Sequence, residues 1–531
     1  MPDVFFTTPD GRQRLDNEML LAYMQRQRWF GGKGRVAVGC SILKEAPLGA
    51  ARLLAVDVKY WEGPNDLYCL PVALAEAAPP DVPLITRLPH GWVLFDAVYD
   101  PAFRQALFIL LAEQAAEGEV RGECGKILRE MFAGPGYPES RVLTAEQSNT
   151  SLIYGGKLFV KLYRRIAPGV NPDAEITRFL SEEPRFRHAP AFGGQVEWVD
   201  ASLALATELR ANEGNAWELA LSHFRAFASD PRALAAWTEL ASLLGRRTGL
   251  FHRALMRPYD TPERLREIQP GRPAAKPQRT EAELAEVAHG EKRAAVAGWR
   301  LGAEYIPLRT RDAVDLRAAF VPEWSATDRK RKWHEELETL CAEAEKMLAE
   351  LSSKAGTLPA AAQEVLELLA RERQGNRWLP WRCLEKVWTP HTESADEQIL
   401  LTRTHGDYHL GQVLFSEGDF VLIDFEGEPL RSLEERRAKH PPIRDVAGML
   451  RSLHYAAHAA RGDTPIHDAE RWAAASQQAF LEGWRGAVRG LPIADEQMLH
   501  FYLFEKLIYE VQYEMNNRPD WVHIPLRGLV Q

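Results

Sequence analysis

The stretch THGDYHLGQVLFSEGDFVLIDFEGEP, residues 404 to 429, sets a His-Gly-Asp triplet and an Ile-Asp-Phe-Glu-Gly strand end seventeen residues apart around two apolar runs. Carboxylate and amide oxygens gathered in this way suit a hard cation such as magnesium, which usually sits against substrate phosphates. Asp407 is followed five residues later by Gln412, and Asp424 ends a run of Phe, Val, Leu and Ile.

Phosphoryl transfer uses parts in this order: a catalytic Asp, an amide ligand five positions on, and a second metal-binding Asp ahead of an aromatic residue. Here Gln takes the place of Asn. In that arrangement Asp407 accepts or orients the proton of an attacking hydroxyl. Gln412 and Asp424 hold magnesium on the β and γ phosphates, and Glu426 adds a carboxylate. An isolated His-Gly-Asp more often caps a loop, so the pairing of the two motifs carries the reading.

The nucleotide side is sought upstream. FVKLYRR places Lys161 on a β-run, and NPDAEITRFL places Glu175 on a helix opened by Asn171 and Pro172. A strand Lys and a helix Glu in this order form the pair that grips α and β phosphates, although a surface Lys and a surface Glu are the plainer reading of each alone. AEQSNTSLIYGG supplies Ser148, Asn149 and Thr150 as small donors between two strands, where an ordinary polar hairpin reads as well. Glu208, at the end of SLALATEL, is grouped with these nucleotide-side residues.

Rival motifs fail. In EGEVRGECGKIL, Lys126 is followed by Ile127 and Val120 occupies the first Gly position of a Walker loop. His405 and His409 stand four apart, as do His454 and His458, but no H-E-x-x-H zinc motif occurs.

Toward the C-terminus, FEKLIYEVQYEMNNR puts Phe504, Leu507, Ile508, Val511 and Met515 on one helical face. Lys506, Tyr509, Glu510 and Tyr513 share the opposite face. Tyrosine beside charged groups is what a polyol or sugar ring meets; a solvated face is the bland alternative.

These residues need a scaffold. A chain of 531 residues, 46% hydrophobic and 26% charged, has enough apolar side chains for a sizeable core. The net charge of −9 argues against a broad nucleic-acid face. Five scattered cysteines without a C-x-x-C pair fit a reducing cytoplasm, and no apolar run approaches a membrane span. Residues 1–90 read as a small α/β unit with strand LLAVDVKYW, residues 91–210 as a sheet-based lobe, and residues 211–531 as mainly helical, with a polar insertion at 258–300. The expected architecture is α+β and bilobal.

HGDYHLGQVL, VLIDFEGEPLRSLEERRAKHPPIRDVAGMLRSLHYAAH, RQRWFGGKGR and YEVQYEMNNRPDWVHIPLRGL together resemble the bacterial maltokinases, of the aminoglycoside-phosphotransferase-like branch of the eukaryotic-type kinase fold. The resemblance implies transfer of the γ-phosphate of ATP, with Mg2+, to the anomeric hydroxyl of maltose, giving maltose 1-phosphate for α-glucan and glycogen-like polymers. By motif, Asp407 looks like the base and Gln412 and Asp424 the magnesium ligands, with Lys161 and Glu175 as the phosphate-gripping pair.

The acceptor site would draw on His409, Lys506, Tyr509, Glu510, Tyr513 and Arg518, and the RWFGGKGR segment resembles the family's cap subdomain. Relatives work beside a trehalose-isomerising enzyme, which makes such an enzyme the expected partner class; no motif speaks to the oligomeric state. Tyr408 departs from the Leu of many relatives. Two alternatives stand beside this reading: a kinase of another small molecule, such as glucosamine, glucose or an aminoglycoside, and a silent kinase-like scaffold.

Overall fold

The computed structural model describes residues 19–529 apart from 78–81, 89–90, 133–135, 144–147, 258, 260, 262–263, 265–297, 302–303, 308–318, 326–328, 375–398, 430 and 494–495. Most of the expected 258–300 insertion lies outside the described residues. The chain forms two compact units, one of Met1–Ser181, Pro190–Arg210 and Pro277–Val314, the other of Glu182–Ala189, Ala211–Lys276 and Asp315–Gln531. No helix among the described residues is long and apolar enough to cross a membrane.

In the first unit, helix α1 (Leu21–Gln25) precedes strands β1 (Ala37–Leu48), β2 (Ala51–Tyr60), β3 (Asp66–Ala75), β4 (Leu84–Arg87) and β5 (Val93–Asp96), paired antiparallel in the order β1-β2-β3-β5-β4. The run LLAVDVKYW is β2. Its apolar continuity has a period-2 explanation: Leu53 and Ala55 face one core, Leu54, Val56 and Val58 the other. The first core is shared with helix α2 (Pro101–Ala112) through Phe103 and Leu107, the second with α1 through Tyr23 and Met24.

Helix α2 begins where the residue types predict, with the Asp100 carboxylate accepting from the Ala102 amide and Pro101 at the first helical position. A second sheet follows, built from β6 (Ala116–Glu117), β7 (Val120–Cys124), β8 (Ser140–Val142), β9 (Thr150–Tyr154), β10 (Leu158–Leu162), β12 (Phe192–Trp198) and β13 (Ala201–Glu208), in the order β6-β7-β12-β13-β10-β9-β8. The two-residue β11 (Arg165–Ile166) leaves this sheet and pairs with β3 of the first. Helices α3 (Lys126–Met131) and α4 (Pro172–Glu182) and the hairpin β14 (Gly298–Leu301) and β15 (Glu304–Pro307) complete the unit.

The second unit is mainly helical: α5 (Ala216–Ser229), α6 (Leu234–Leu255), α7 (Arg329–Ser353), α8 (Ala360–Gln374), α9 (Leu433–Arg437), α10 (Ile443–Ala459), α11 (Ile466–Ala487), α12 (Glu496–Asn517) and α13 (His523–Gly528). Its strands are short. β16 (Glu323–Trp324) pairs with β17 (Leu400–Leu401), and β18 (Val413–Ser416) pairs with β19 (Asp419–Leu422).

Helices α6 and α11 approach so closely that a Cβ at Gly245 would run into the Phe480 carbonyl, and one at Gly483 into the Ser242 carbonyl. Trp237 and Trp472 stack at 5.2 Å between ring centroids, and the Trp237 indole donates to Ser476 Oγ at 2.7 Å. Gly245→Ala is therefore expected to lower unfolding free energy by about 1–3 kcal/mol through overpacking. Gly486→Ala, with nothing within 4 Å of the added carbon, should be neutral or slightly stabilising. Urea denaturation of the two variants checks the contrast.

Candidate active site

The turn carrying Asp407 is held from beneath by Asp445, in the first turn of α10. Its buried carboxylate accepts the His405 amide at 2.8 Å and the Gly406 amide at 3.0 Å, one oxygen each. His252 of α6 adds Nε2 at 3.1 Å, and its Nδ1 accepts the Trp484 indole N–H at 3.0 Å. Trp can only donate, so Nδ1 is bare and Nε2 carries the hydrogen that Asp445 accepts. Burial pushes the Asp445 carboxyl up, but the His252 bond and the His405 interactions outweigh it and leave it below the ordinary range.

Gly406 sits at φ +86°, and a Cβ there would meet Gly427 Cα at 3.1 Å. The turn thus needs glycine for both conformation and space. Tyr408 is buried and shares a hydrogen bond with Thr248 Oγ1 at 2.8 Å, which anchors the turn to α6.

Asp407 itself remains accessible, its side chain one quarter exposed. Lys506 Nζ lies 3.7 Å from one carboxylate oxygen and His409 Nε2 4.0 Å from the other. His409 Nδ1 accepts the Gly411 amide at 3.1 Å, which leaves the hydrogen on the Nε2 facing Asp407. Desolvation lowers the His409 pKa against the pull of Asp407.

Gln412 donates its amide N–H to Asp424 Oδ2 at 2.8 Å. Asp424 occupies the left-handed region at φ +66° two residues after β19, a conformation Asp tolerates better than most residues and one that recurs at functional sites. A carboxylate and an amide oxygen are the donors a hard cation takes, so Asp424 and Gln412 fit magnesium. Glu426 has Arg436 at 3.7 Å, which partly neutralises it.

Helix α12 presents Lys506, whose Nζ donates to Glu428 Oε1 at 2.9 Å. Glu428 is buried and gathers two further cations, Arg431 in direct contact and Arg444 at 3.6 Å. Burial would raise its carboxyl; Lys506, Arg444 and Arg431 overcome that and hold it down at about 2. Lys506 is kept cationic by Glu428 and Asp407 despite its own desolvation.

Tyr509 lies beside Lys506, with its ring centroid 5.1 Å from Nζ, and the half-exposed Tyr513 stacks on Tyr509 at 6.4 Å. The other predicted acceptor residues are engaged differently. Glu510 pairs with Arg451 of α10 at 2.9 Å, while Arg518 binds Glu514 and lies over the Tyr513 ring at 5.5 Å.

A small cavity of about 30 Å³ lies among Gly406, Glu428, Arg444, Lys506 and Tyr509. It shares Arg431, Arg444, Tyr502 and Glu505 with a groove of about 390 Å³ that reaches Glu336, Thr339 and Phe501. Sequence reasoning passed over Glu428, Arg431 and Arg444. The density of charge in GEPLRSLEERRAKHPPIRD was the available signal.

In the first unit, Lys161 on β10 is buried and donates to Asp173 Oδ2 at 3.1 Å. Asp173 was not selected from sequence, although it shares the first turn of α4 with the buried Glu175. Asn171 caps that helix as expected, accepting the Asp173 amide at 2.9 Å. Ser148 is exposed, Asn149 and Thr150 are buried, and the Thr150 hydroxyl accepts from Arg164 at 2.8 Å. Glu208 pairs with Arg210 at 3.0 Å.

Residues 23–100, which include the end of α1 and strands β1 to β5 of the first sheet, match the family model of the maltokinase N-terminal cap domain. The N-terminal part of the chain is thus similar to a maltokinase cap. A glucosamine kinase from Streptacidiphilus jiangxiensis is 29% identical over 152 residues, 26% of this chain and 35% of that protein. The matched stretch thus spans about a third of the curated relatives' length.

Among solved structures, a glucosamine kinase in crystal form B superposes with a TM-score of 0.58 at 19% identity, covering 97% of this chain and 98% of that one. A glucosamine kinase in complex with glucosamine, ADP and inorganic phosphate gives 0.57 at 18%, covering 93% and 94%. At such identities the likeness speaks to the fold. The chain has an α+β, kinase-like fold with an N-terminal cap and a mainly helical C-terminal part.

The depressed Glu428 pKa has a pH signature. Its contribution to stability is present above the ordinary 4.5 and is lost as pH falls toward about 2. Glu428→Gln should lower the unfolding free energy by up to roughly 3 kcal/mol above pH 4.5. The gap from wild type should close on acidification, as read by urea melts across a pH series.

Proposed function

We propose that this chain is an ATP-dependent sugar kinase that phosphorylates the anomeric hydroxyl of maltose. The observation that carries the reading is the Asp407 turn, whose backbone is fixed by Asp445 while its carboxylate stands accessible beside Lys506 and His409. A carboxylate so placed takes the proton of an attacking hydroxyl, and Lys506 at 3.7 Å orients it. The Tyr509 and Tyr513 rings offer flat apolar faces to a pyranose. The adjacent groove, about 390 Å³, is within the roughly 300–1,000 Å³ of small-molecule sites.

Lys161, held by Asp173 on the β10 strand, is the residue to grip the α and β phosphates of ATP. Asp424 and Gln412 are the residues to hold magnesium, which when bound neutralises charge on the β and γ phosphates. The match to a maltokinase cap supports maltose as acceptor and maltose 1-phosphate, a precursor of α-glucan, as product. A second reading, glucosamine as acceptor, is favoured by the names of the curated relatives and solved neighbours.

Coupled ADP release with Mg2+ and ATP across maltose, glucose, glucosamine and trehalose separates the two, with NMR locating the phosphate. Selective turnover of maltose at the anomeric carbon is expected; preferential turnover of glucosamine would reassign the acceptor. Asp407→Asn should reduce transfer by about 10²–10⁴-fold, the range for a lost general base, with nucleotide affinity retained. Tyr513→Ala should raise the half-saturating maltose concentration more than that of ATP, and a larger effect on ATP would remove α12 from the acceptor site.

A further inference from the structure

The chemistry proposed above leaves RWFGGKGR without a task. Its residues lead, through one buried cation, to the strand that bears Lys161. Arg164 follows β10 by two residues and has no exposed surface. A guanidinium taken out of water to that extent needs close partners to persist.

The cap domain supplies most of them. Arg164 Nη2 donates to Asp96 Oδ2 at 2.8 Å, and the Trp29 ring covers the guanidinium carbon at 4.8 Å. Asp96 is itself fixed by the Tyr23 hydroxyl at 3.0 Å and the Val98 amide at 3.1 Å. The remaining bond turns the other way: Arg164 Nε donates to Thr150 Oγ1 at 2.8 Å. Thr150 and Leu162 are cross-strand partners at the open end of the β9-β10 hairpin, one pair beyond Lys161 and Ser151.

The backbone is clamped as well. The Arg164 carbonyl accepts the Cys69 amide at 2.7 Å, Arg165 pairs with Tyr68, and Arg165 Nη2 meets Asp66 at 2.6 Å. Tyr68 is in turn stacked by Phe30 and held by the Gly31 amide at 3.1 Å. Gly32 lies so close to the Tyr60 ring that a side chain there would collide with it. The WFGG residues thus shape the cap surface on which the exit of the Lys161 strand is seated.

We propose that Arg164 is a positioning residue through which the cap domain sets the register and rigidity of the β9-β10 hairpin, and hence the placement of Lys161 for nucleotide phosphates. The nucleotide part of this inference rests on the kinase reading. The hydrogen bonds and the stacking stand apart from it.

The test compares wild type, Arg164→Lys and the cap variant Trp29→Leu in the full chain. A lysine cannot reach Asp96 and Thr150 together, and Trp29→Leu perturbs the cation from the cap side alone. Loss of one hydrogen bond involving a charged group predicts hydrogen–deuterium exchange over residues 150–162 about tenfold faster or more, with β7 and β12 of the same sheet unchanged. Half-saturating ATP should rise by a similar factor, about tenfold, while that of the sugar is unchanged.

Exchange accelerated equally across the whole sheet would mean a general loss of packing and would overturn the proposal. So would folded variants with wild-type exchange in 150–162. If Arg164→Lys does not fold, Trp29→Leu decides by the same criteria. Exchange needs no turnover, so a wild type inactive on every sugar would sink the kinase reading while the coupling was still judged, with ADP calorimetry in place of ATP kinetics.

Discussion

A carboxylate with almost no exposed surface holds the Asp407 turn of this protein. Asp445 spends both oxygens on the backbone amides of His405 and Gly406 and takes a third bond from His252. A buried anion with this many donors cannot shift without leaving one of them unsatisfied, at a cost of several kcal/mol. The Asp407 side chain inherits that rigidity without being buried itself. His252 and Trp484, which complete the network, sit on α6 and α11, and only glycine at 245 and 483 lets those helices approach closely enough to bring them to Asp445.

Charge organises the neighbouring surface. Glu428 draws Lys506, Arg431 and Arg444 onto one buried carboxylate, so α12, α10 and the loop after β19 are joined at a single point. Lys506 keeps enough reach to stand beside Asp407. The three cations are balanced in turn by Glu505, 3.5 Å from Arg431, and by Asp407, 3.7 Å from Lys506, so the cluster is a network of alternating charge rather than a patch of one sign.

Much of this was legible in the sequence where local rules decide the outcome. The Asn171 cap, the β18-β19 hairpin and the apolar face of α12 through Phe504, Leu507, Ile508 and Val511 follow from residue type and spacing. Long-range pairing was not legible. Glu514, polar by type, is buried because Tyr455 and Arg518 reach it, while Met515, apolar by type, is only partly covered. Glu510 turns to Arg451 across fifty-nine residues of sequence, and Lys161 takes Asp173, a residue the motif had not singled out, as a partner. Periodicity assigns a residue to a face, but only the tertiary fold supplies the charge that meets it.

Strand β2 carries a consequence for how the cap can change over time. Its odd and even residues serve separate cores, with Leu53 and Ala55 in one and Leu54, Val56 and Val58 in the other. Aliphatic exchanges at any of these positions alter one core by a methylene or two. A single inserted or deleted residue would send every side chain beyond it to the opposite face, where the volumes do not match. The cap should therefore drift freely in composition within a family while keeping its strand lengths, and length variation should collect in the turns, such as 61–65, that neither core touches.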